Sequence, residues 1–167
     1  EYPHAYFILS NILRDSCKLD KALIYMHKAL SFRPNFASYH YSLGIILYKL
    51  CQLEEAETSI RKAIELDPGF AQSYSNLGII LKDQGRLEEA EVVTRKSLAI
   101  RSDLAETHCN LGMILRDLGK LEESFTCLEK AMDLNPDFDL AKSAMAHLLL
   151  KEAKYIKGLT MLRNAEG

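Results

Sequence analysis

Two side-chain amides recur at a fixed separation in this sequence. Asn76 and Asn110 lie 34 residues apart, within the near-identical stretches 74–90 and 108–124. A carboxamide can both donate to and accept from a peptide backbone. The chemistry that these residue types predict is therefore hydrogen bonding to another polypeptide.

Three basic residues form a second candidate set. Arg14, Lys82 and Arg116 are each followed directly by an aspartate. Two interpretations remain open for them. Either the cations form a basic row that contacts a ligand, or each base is partly neutralised by the acid beside it.

No arrangement of residues suits catalysis or a metal. The five histidines include no HExxH motif, and no glycine-rich phosphate loop or GxSxG motif is present. The Glu-Glu pairs are sequence neighbours, and such pairs cannot converge on one substrate bond. We therefore expect no enzymatic activity from this segment, and no metal or cofactor.

Composition sets the broad class. The chain has 167 residues, a net charge of −2 and 48% hydrophobic residues, enough for a continuous core. We expect no nucleic-acid or membrane partner, because no broad basic surface or long apolar run is apparent. The four cysteines are expected to be packing thiols. Without a signal-peptide pattern, a cytoplasmic setting is the default expectation, and the chain reads as a fragment of something longer.

The helices that must position these residues come from an internal repeat. A 34-residue unit recurs, with small residues at its eighth and twentieth positions and two segments of apolar residues at helical spacing. Gly85 and Gly119 suit the tight turn between the two helices, and Cys17, Cys51 and Ala153 occupy the same position in the other units. We expect those three turns to be strained or differently shaped.

This pattern resembles the tetratricopeptide repeat, whose signature is aromatic-x₂-Leu-Gly-x₂-Tyr, then Ala-x₃-Phe, then Pro. Tyr74, Leu77, Gly78 and Ala90 match it, while Leu81 replaces the signature tyrosine, as a leucine does in every complete copy. The resemblance implies an all-α, right-handed α-solenoid formed by a single array over residues 1–167. Its repeats would span approximately residues 3–36, 37–70, 71–104, 105–138 and a partial 139–167.

The resemblance also implies a function, a scaffold that binds an extended peptide or a partner helix in its concave groove. In such arrays the first helix of each unit lines the groove, and two asparagines resemble the start of the ladder in O-linked N-acetylglucosamine transferases. The expected groove residues are Asn11, Tyr41, Ile45, Tyr48, Asn76, Ile79, Lys82, Asn110, Met113 and Arg116. The carboxylate clamp of chaperone-binding arrays is matched only by Asn11, so a chaperone C-terminus is not the expected ligand.

Two alternatives stay open. The segment could recruit substrates for a larger transferase. It could also self-associate through its last helix, where Leu159 and Leu162 lack an obvious cover.

Overall fold

The computed structural model describes the backbone of residues 2–165 and the side chains of residues 2–151 and 153. This part of the chain is all-α, with nine helices and no strand. The helices are α1 Pro3–Asp15, α2 Leu19–Phe32, α3 Ala37–Lys49, α4 Leu53–Leu66, α5 Ala71–Asp83, α6 Leu87–Ile100, α7 Ala105–Asp117, α8 Leu121–Leu134 and α9 Asp139–Ala165. The predicted all-α helical repeat is confirmed.

The first helix of each of the four complete repeats ends in the same way. After α5, Gly85 N–H donates to the Lys82 carbonyl and Arg86 N–H to the Leu81 carbonyl, each at 2.9 Å. This pair of hydrogen bonds is a Schellman motif, which requires a left-handed residue after the helix. Gly85 and Gly119 supply it with φ of 80° and 79°.

Cysteines occupy the left-handed position in the first two repeats. Cys17 has φ of 56° and Cys51 φ of 60°, and both side chains are exposed. The expected strain is therefore present, because a residue with a Cβ is disfavoured in this conformation. The expectation that all four cysteines pack in the interior is wrong for these two, since a turn between helices faces solvent; Cys109 is buried.

Small residues at the eighth position let the two helices of a repeat approach closely. A Cβ added at Gly44 would lie 2.6 Å from the Ile60 side chain, and one at Gly112 would lie 2.7 Å from Leu128. Ser10 holds this position in the first repeat, where it is fully buried and its hydroxyl donates to the Ala22 carbonyl at 2.7 Å. The helix pairs α1–α2, α3–α4, α5–α6 and α7–α8 follow from this contact.

The chain divides into two compact units, Glu1–Ile100 and Arg101–Gly167. The first contains α1 to α6, and its interior includes the fully buried side chains of Tyr39, Ile46, Ile60 and Leu81. In the second unit α9 packs on α7 and α8. Its core is the cluster Cys109, Leu128, Ala131, Ala141, Ala144, Met145 and Leu148.

The last repeat differs from the prediction. We expected a turn at Ala153, but α9 continues through it as one helix from Asp139 to Ala165. Alanine is the best helix former, and neither glycine nor proline stands at this position to end the helix, so the helix continues. Leu159 and Leu162 have no described side chains, and the predicted self-association therefore falls outside the described residues.

Candidate functional site

Four of the expected groove residues line one cleft in the first unit. Ile45 and Tyr48 reach it from α3, and Asn76 and Ile79 reach it from α5. The cleft has about 240 Å³ of space, part of which is open to solvent. Since α3 and α5 are the first helices of neighbouring repeats, equivalent faces of the two helices meet here.

The sequence did not reveal how the floor of this cleft is made. It includes Ile60, which belongs to the second helix α4. Ile60 reaches the cleft because Gly44 has no side chain in its path. The glycine at the eighth position was the available signal in the sequence.

Asn76 is held in place by the protein itself. Its amide nitrogen donates to the Tyr41 hydroxyl at 2.9 Å and to the Gln72 carbonyl at 3.1 Å. Asn76 is half-buried, and its carboxamide oxygen has no hydrogen-bond partner among the described residues. The donor of this side chain is thus used internally, and the acceptor remains for a ligand.

The edge of the cleft carries a polar chain of contacts. The Tyr48 hydroxyl donates to Asp83 Oδ2 at 2.6 Å, and Lys82 Nζ lies 2.7 Å from Asp83 Oδ1. Burial of the Tyr48 ring, together with its hydrogen bond to the Asp83 carboxylate, raises the pKa of Tyr48 above its ordinary value. Tyr48 therefore stays a neutral donor, and its orientation is fixed by Asp83.

The three bases are all paired with the aspartate that follows them. Arg14 Nε lies 2.9 Å from Asp15, and the Arg116 guanidinium lies 2.9 Å from Asp117. The hydrogen bond from Arg14 lowers the pKa of Asp15 below its usual value. Each base of the row is thus partly neutralised by the acid beside it, and a contact of the row with a ligand stays a prediction.

The remaining expected groove residues are not among those that line the cleft. Arg14 Nη1 donates to Asn11 Oδ1 at 3.2 Å on α1. In the second unit Asn110, Met113 and Arg116 are all half-buried on α7, and Met113 packs against the core cluster of that unit. The Lys151 ammonium donates to the Arg116 carbonyl at 2.8 Å, which ties α9 to the end of α7.

Two histidines of the aromatic position have structural partners. His40 Nε2 lies 2.7 Å from the Pro34 carbonyl oxygen, and His108 Nε2 lies 2.9 Å from that of Ser102. Both bonds hold the loop that precedes the helix. Among the described side chains, no group of three or more histidine, cysteine, aspartate or glutamate residues is arranged to hold a metal ion.

Within the described residues, no helix is both long and apolar enough to cross a bilayer.

Comparison with solved structures shows the same fold. One neighbour is the pilF protein of Pseudomonas aeruginosa, at 26% identity and a TM-score of 0.81, over 93% of this chain and 71% of that one. Another is a thermophilic TPR protein of Thermus thermophilus, at 22% identity and a TM-score of 0.83, over 98% and 89%. The APC/C hetero-tetramer Cut9–Hcn1 contains a further one, at 14% identity and a TM-score of 0.81, over 88% and 30%.

A search among curated proteins found no match. Family models gave a clear result. Three models of the tetratricopeptide repeat match residues 37–70, 60–92 and 105–138, which together cover more than half of the chain. With the repeated helix pairs described above, these matches show that the chain belongs to the tetratricopeptide repeat family.

Proposed function

We propose that this protein is an interaction scaffold that binds an extended peptide segment of a partner in the α3–α5 cleft. The observation that carries the proposal is the convergence of Ile45, Tyr48, Asn76 and Ile79 on one cleft. Members of this family serve as protein-interaction scaffolds, and the Cut9–Hcn1 neighbour is itself part of a protein assembly.

Asn76 sets the register of the bound backbone. Its amide nitrogen already donates to Tyr41 and Gln72, so its oxygen is the atom that accepts a hydrogen bond from a backbone N–H of the ligand. Tyr41 thereby acts as a positioning residue, since its hydroxyl fixes which way the carboxamide is turned.

Apolar contact provides the rest of the affinity. Ile45 and Ile79 are half-buried in the free protein, so a ligand side chain that covers them removes further apolar surface from water. Lys82 contributes little net charge because Asp83 neutralises it. We therefore propose that the cleft selects peptides by an apolar anchor rather than by an acidic one.

The same role is proposed for Asn110, Met113 and Arg116 on α7, and for Asn11 on α1, as further contacts to the ligand. Nothing in the contacts or the comparisons favours the alternative of a substrate-recruiting segment of a transferase. We expect neither nucleic acid nor a membrane among the partners.

Binding to a peptide array tests the proposal. For each peptide that binds, Asn76→Ala should lower the affinity about tenfold, since it removes a hydrogen-bond acceptor from a half-buried site. Tyr41→Phe should lower it less, because the carboxamide stays and is then held by the Gln72 carbonyl alone. The control is Asn35→Ala, which removes an exposed asparagine in the loop before α3.

Asn76→Ala and the double variant Asn76→Ala/Asn110→Ala are compared with the unchanged chain. If both bind every ligand with unchanged affinity, that result would falsify the role of the asparagines. If Ile79→Ser also binds every ligand with unchanged affinity, the α3–α5 cleft is not the binding site.

A further inference from the structure

A second cleft lies on another side of the first unit, between α2, α3 and α4. It has about 930 Å³ of space, including solvent at its mouth. Leu23, Leu43 and Leu47 contribute apolar surface, and His27, Gln52 and Glu55 contribute polar groups. None of these residues belongs to the α3–α5 site.

The protein itself shows what occupies the equivalent place one repeat later. Shifted by 34 residues, Leu23, His27, Gln52 and Glu55 become Glu57, Arg61, Arg86 and Glu89. These four charges form one network, in which the Arg86 guanidinium lies 2.8 Å from Glu57 and the Arg61 guanidinium 2.6 Å from Glu89. Arginines thus span the gap from α4 to α6.

Glu55 is the equivalent of Glu89 in that network, but neither arginine of the network has an equivalent beside it. Its neighbours are His27 and Gln52 where Glu89 has Arg61 and Arg86. Within the described part of the chain, neither Glu55 nor the adjacent Glu54 makes an ion pair, so the cleft carries two uncompensated carboxylates above an apolar floor.

An independent observation comes from Ser59 on α4. Its side chain lines the same cleft and is 8% exposed, and its hydroxyl has no hydrogen-bond partner among the described residues. The equivalent residue in the next repeat is Val93, which needs none. The Ser59 hydroxyl is therefore left facing the cleft, where it can accept a hydrogen bond from a ligand donor.

We propose that this second cleft binds an arginine side chain presented by a partner protein. The guanidinium pairs with Glu55 and donates to the Ser59 hydroxyl, while the aliphatic stem lies on Leu23 and Leu47. The partner's arginine thus takes the place that Arg86 fills one repeat later. This surface is separate from the proposed peptide cleft and does not depend on it.

The experiment uses the whole chain, labelled with ¹⁵N, and two short peptides. One is acetyl-Leu-Arg-Leu-amide, and the other carries citrulline, the neutral isostere, in place of arginine. We expect the arginine peptide to shift the amide resonances of Leu23, Leu47 and Ser59, and the citrulline peptide to bind about fivefold more weakly or worse. Added salt should weaken only the arginine peptide.

Three variants complete the test. Glu55→Gln should weaken the arginine peptide about fivefold, whereas Glu88→Gln, an exposed acid outside the cleft, should not. Gln52→Arg places a guanidinium of the protein beside Glu55 and should abolish binding without loss of the folded spectrum.

The proposal is overturned if the two peptides bind equally, if Glu55→Gln binds as the unchanged chain does, or if Gln52→Arg leaves binding intact. It is also overturned if shifts are absent at millimolar peptide, or are confined to Ile45 and Ile79. In that last case the arginine peptide would occupy the α3–α5 cleft, and the proposed function would stand without this inference.

Discussion

Cys17 and Cys51 show how one residue type can fill a backbone position made for another. Each occupies the left-handed turn residue that Gly85 and Gly119 occupy in the later repeats. The hydrogen bonds of the turn are the same, since Cys51 N–H donates to the Tyr48 carbonyl and Gln52 N–H to the Leu47 carbonyl. The turn is therefore kept in spite of local steric strain.

Replacing Cys51 by glycine should stabilise the protein. The relief of left-handed strain exceeds the added entropy of the unfolded glycine, for a net gain of about 0.5–1 kcal/mol. Thermal unfolding should show a midpoint a few degrees higher, on the order of 2–4 °C for each kcal/mol. Cys51→Ala is the matched control, because it removes the thiol but keeps the strain. A midpoint equal to that of the control would contradict the argument.

Asn76 illustrates a different point at the same scale. Its recurrence with Asn110 was visible in the sequence, but the use of its donor by Tyr41 and Gln72 was not. The nitrogen of this carboxamide is used within the protein and its oxygen is available to a ligand. Only the folded structure distinguishes the two atoms.

At the scale of elements, the charge network joins α4 to the start of α6. Arg61 Nε donates at 2.9 Å to Glu57, which lies four residues earlier on α4, and Arg61 also donates to Glu89 in the next repeat. Burial alone would raise the pKa of Glu57, but hydrogen bonds from Arg61, Gln84 and Arg86 outweigh burial and lower it. The pKa of Glu89 is lowered by its hydrogen bonds from Arg86 and Arg61.

This network makes stability depend on pH. A carboxyl group with a lowered folded pKa stabilises the protein fully above its unfolded pKa, which is near 4.5 for Glu57. That contribution is lost as the pH falls through the folded value. Glu57→Gln should therefore be less stable than the unchanged chain at pH 7. The loss should be at most about 1 kcal/mol, because the network is near solvent. The difference in the free energy of unfolding should shrink towards pH 3.

Urea unfolding at several pH values measures this difference without the screening that guanidinium salts cause. Glu88→Gln serves as the control, because its carboxylate lies on the same helix as Glu89 but outside the network. A difference between Glu57→Gln and the unchanged chain that stays constant from pH 7 to pH 3 would refute the electrostatic account.

At the scale of the whole molecule, the division into two compact units falls between Ile100 and Arg101. Each of the other complete repeats closes with a proline, at Pro34, Pro68 and Pro136, whereas this one has Ser102. The loop has the same turn as its counterparts, and His108 contacts the Ser102 carbonyl as His40 contacts that of Pro34. That a single array spans residues 1–167 remains a prediction.

Ser102→Pro should stabilise the protein by about 0.4–1 kcal/mol. The position accepts proline in three other repeats, so the ring should cost no native contact and should restrict the unfolded chain. Thermal unfolding checks the expected rise in midpoint, with Ser102→Ala as the control that lacks the ring. A lower midpoint for Ser102→Pro than for Ser102→Ala would show that this loop differs from its counterparts.

The sequence alone determined the all-α helical repeat, because this repeat follows from local patterns. Glycine after a helix, proline at the end of a repeat and apolar residues at helical spacing act within a few residues of one another. The end of the chain is where this reasoning failed. The pattern predicted a turn at Ala153, but nothing local there enforces one, and α9 continues.

Only the tertiary structure decided which chemical groups remain available to a ligand. Ile45, Tyr48, Asn76 and Ile79 were expected on one surface, yet their shared cleft depends on Ile60 passing the bare Gly44. The pairing of Tyr48 with Asp83 and of Glu57 with Arg86 joins residues of different repeats. Such contacts depend on distances between packed helices, and those distances are set by the volumes of the side chains between them rather than by any local pattern.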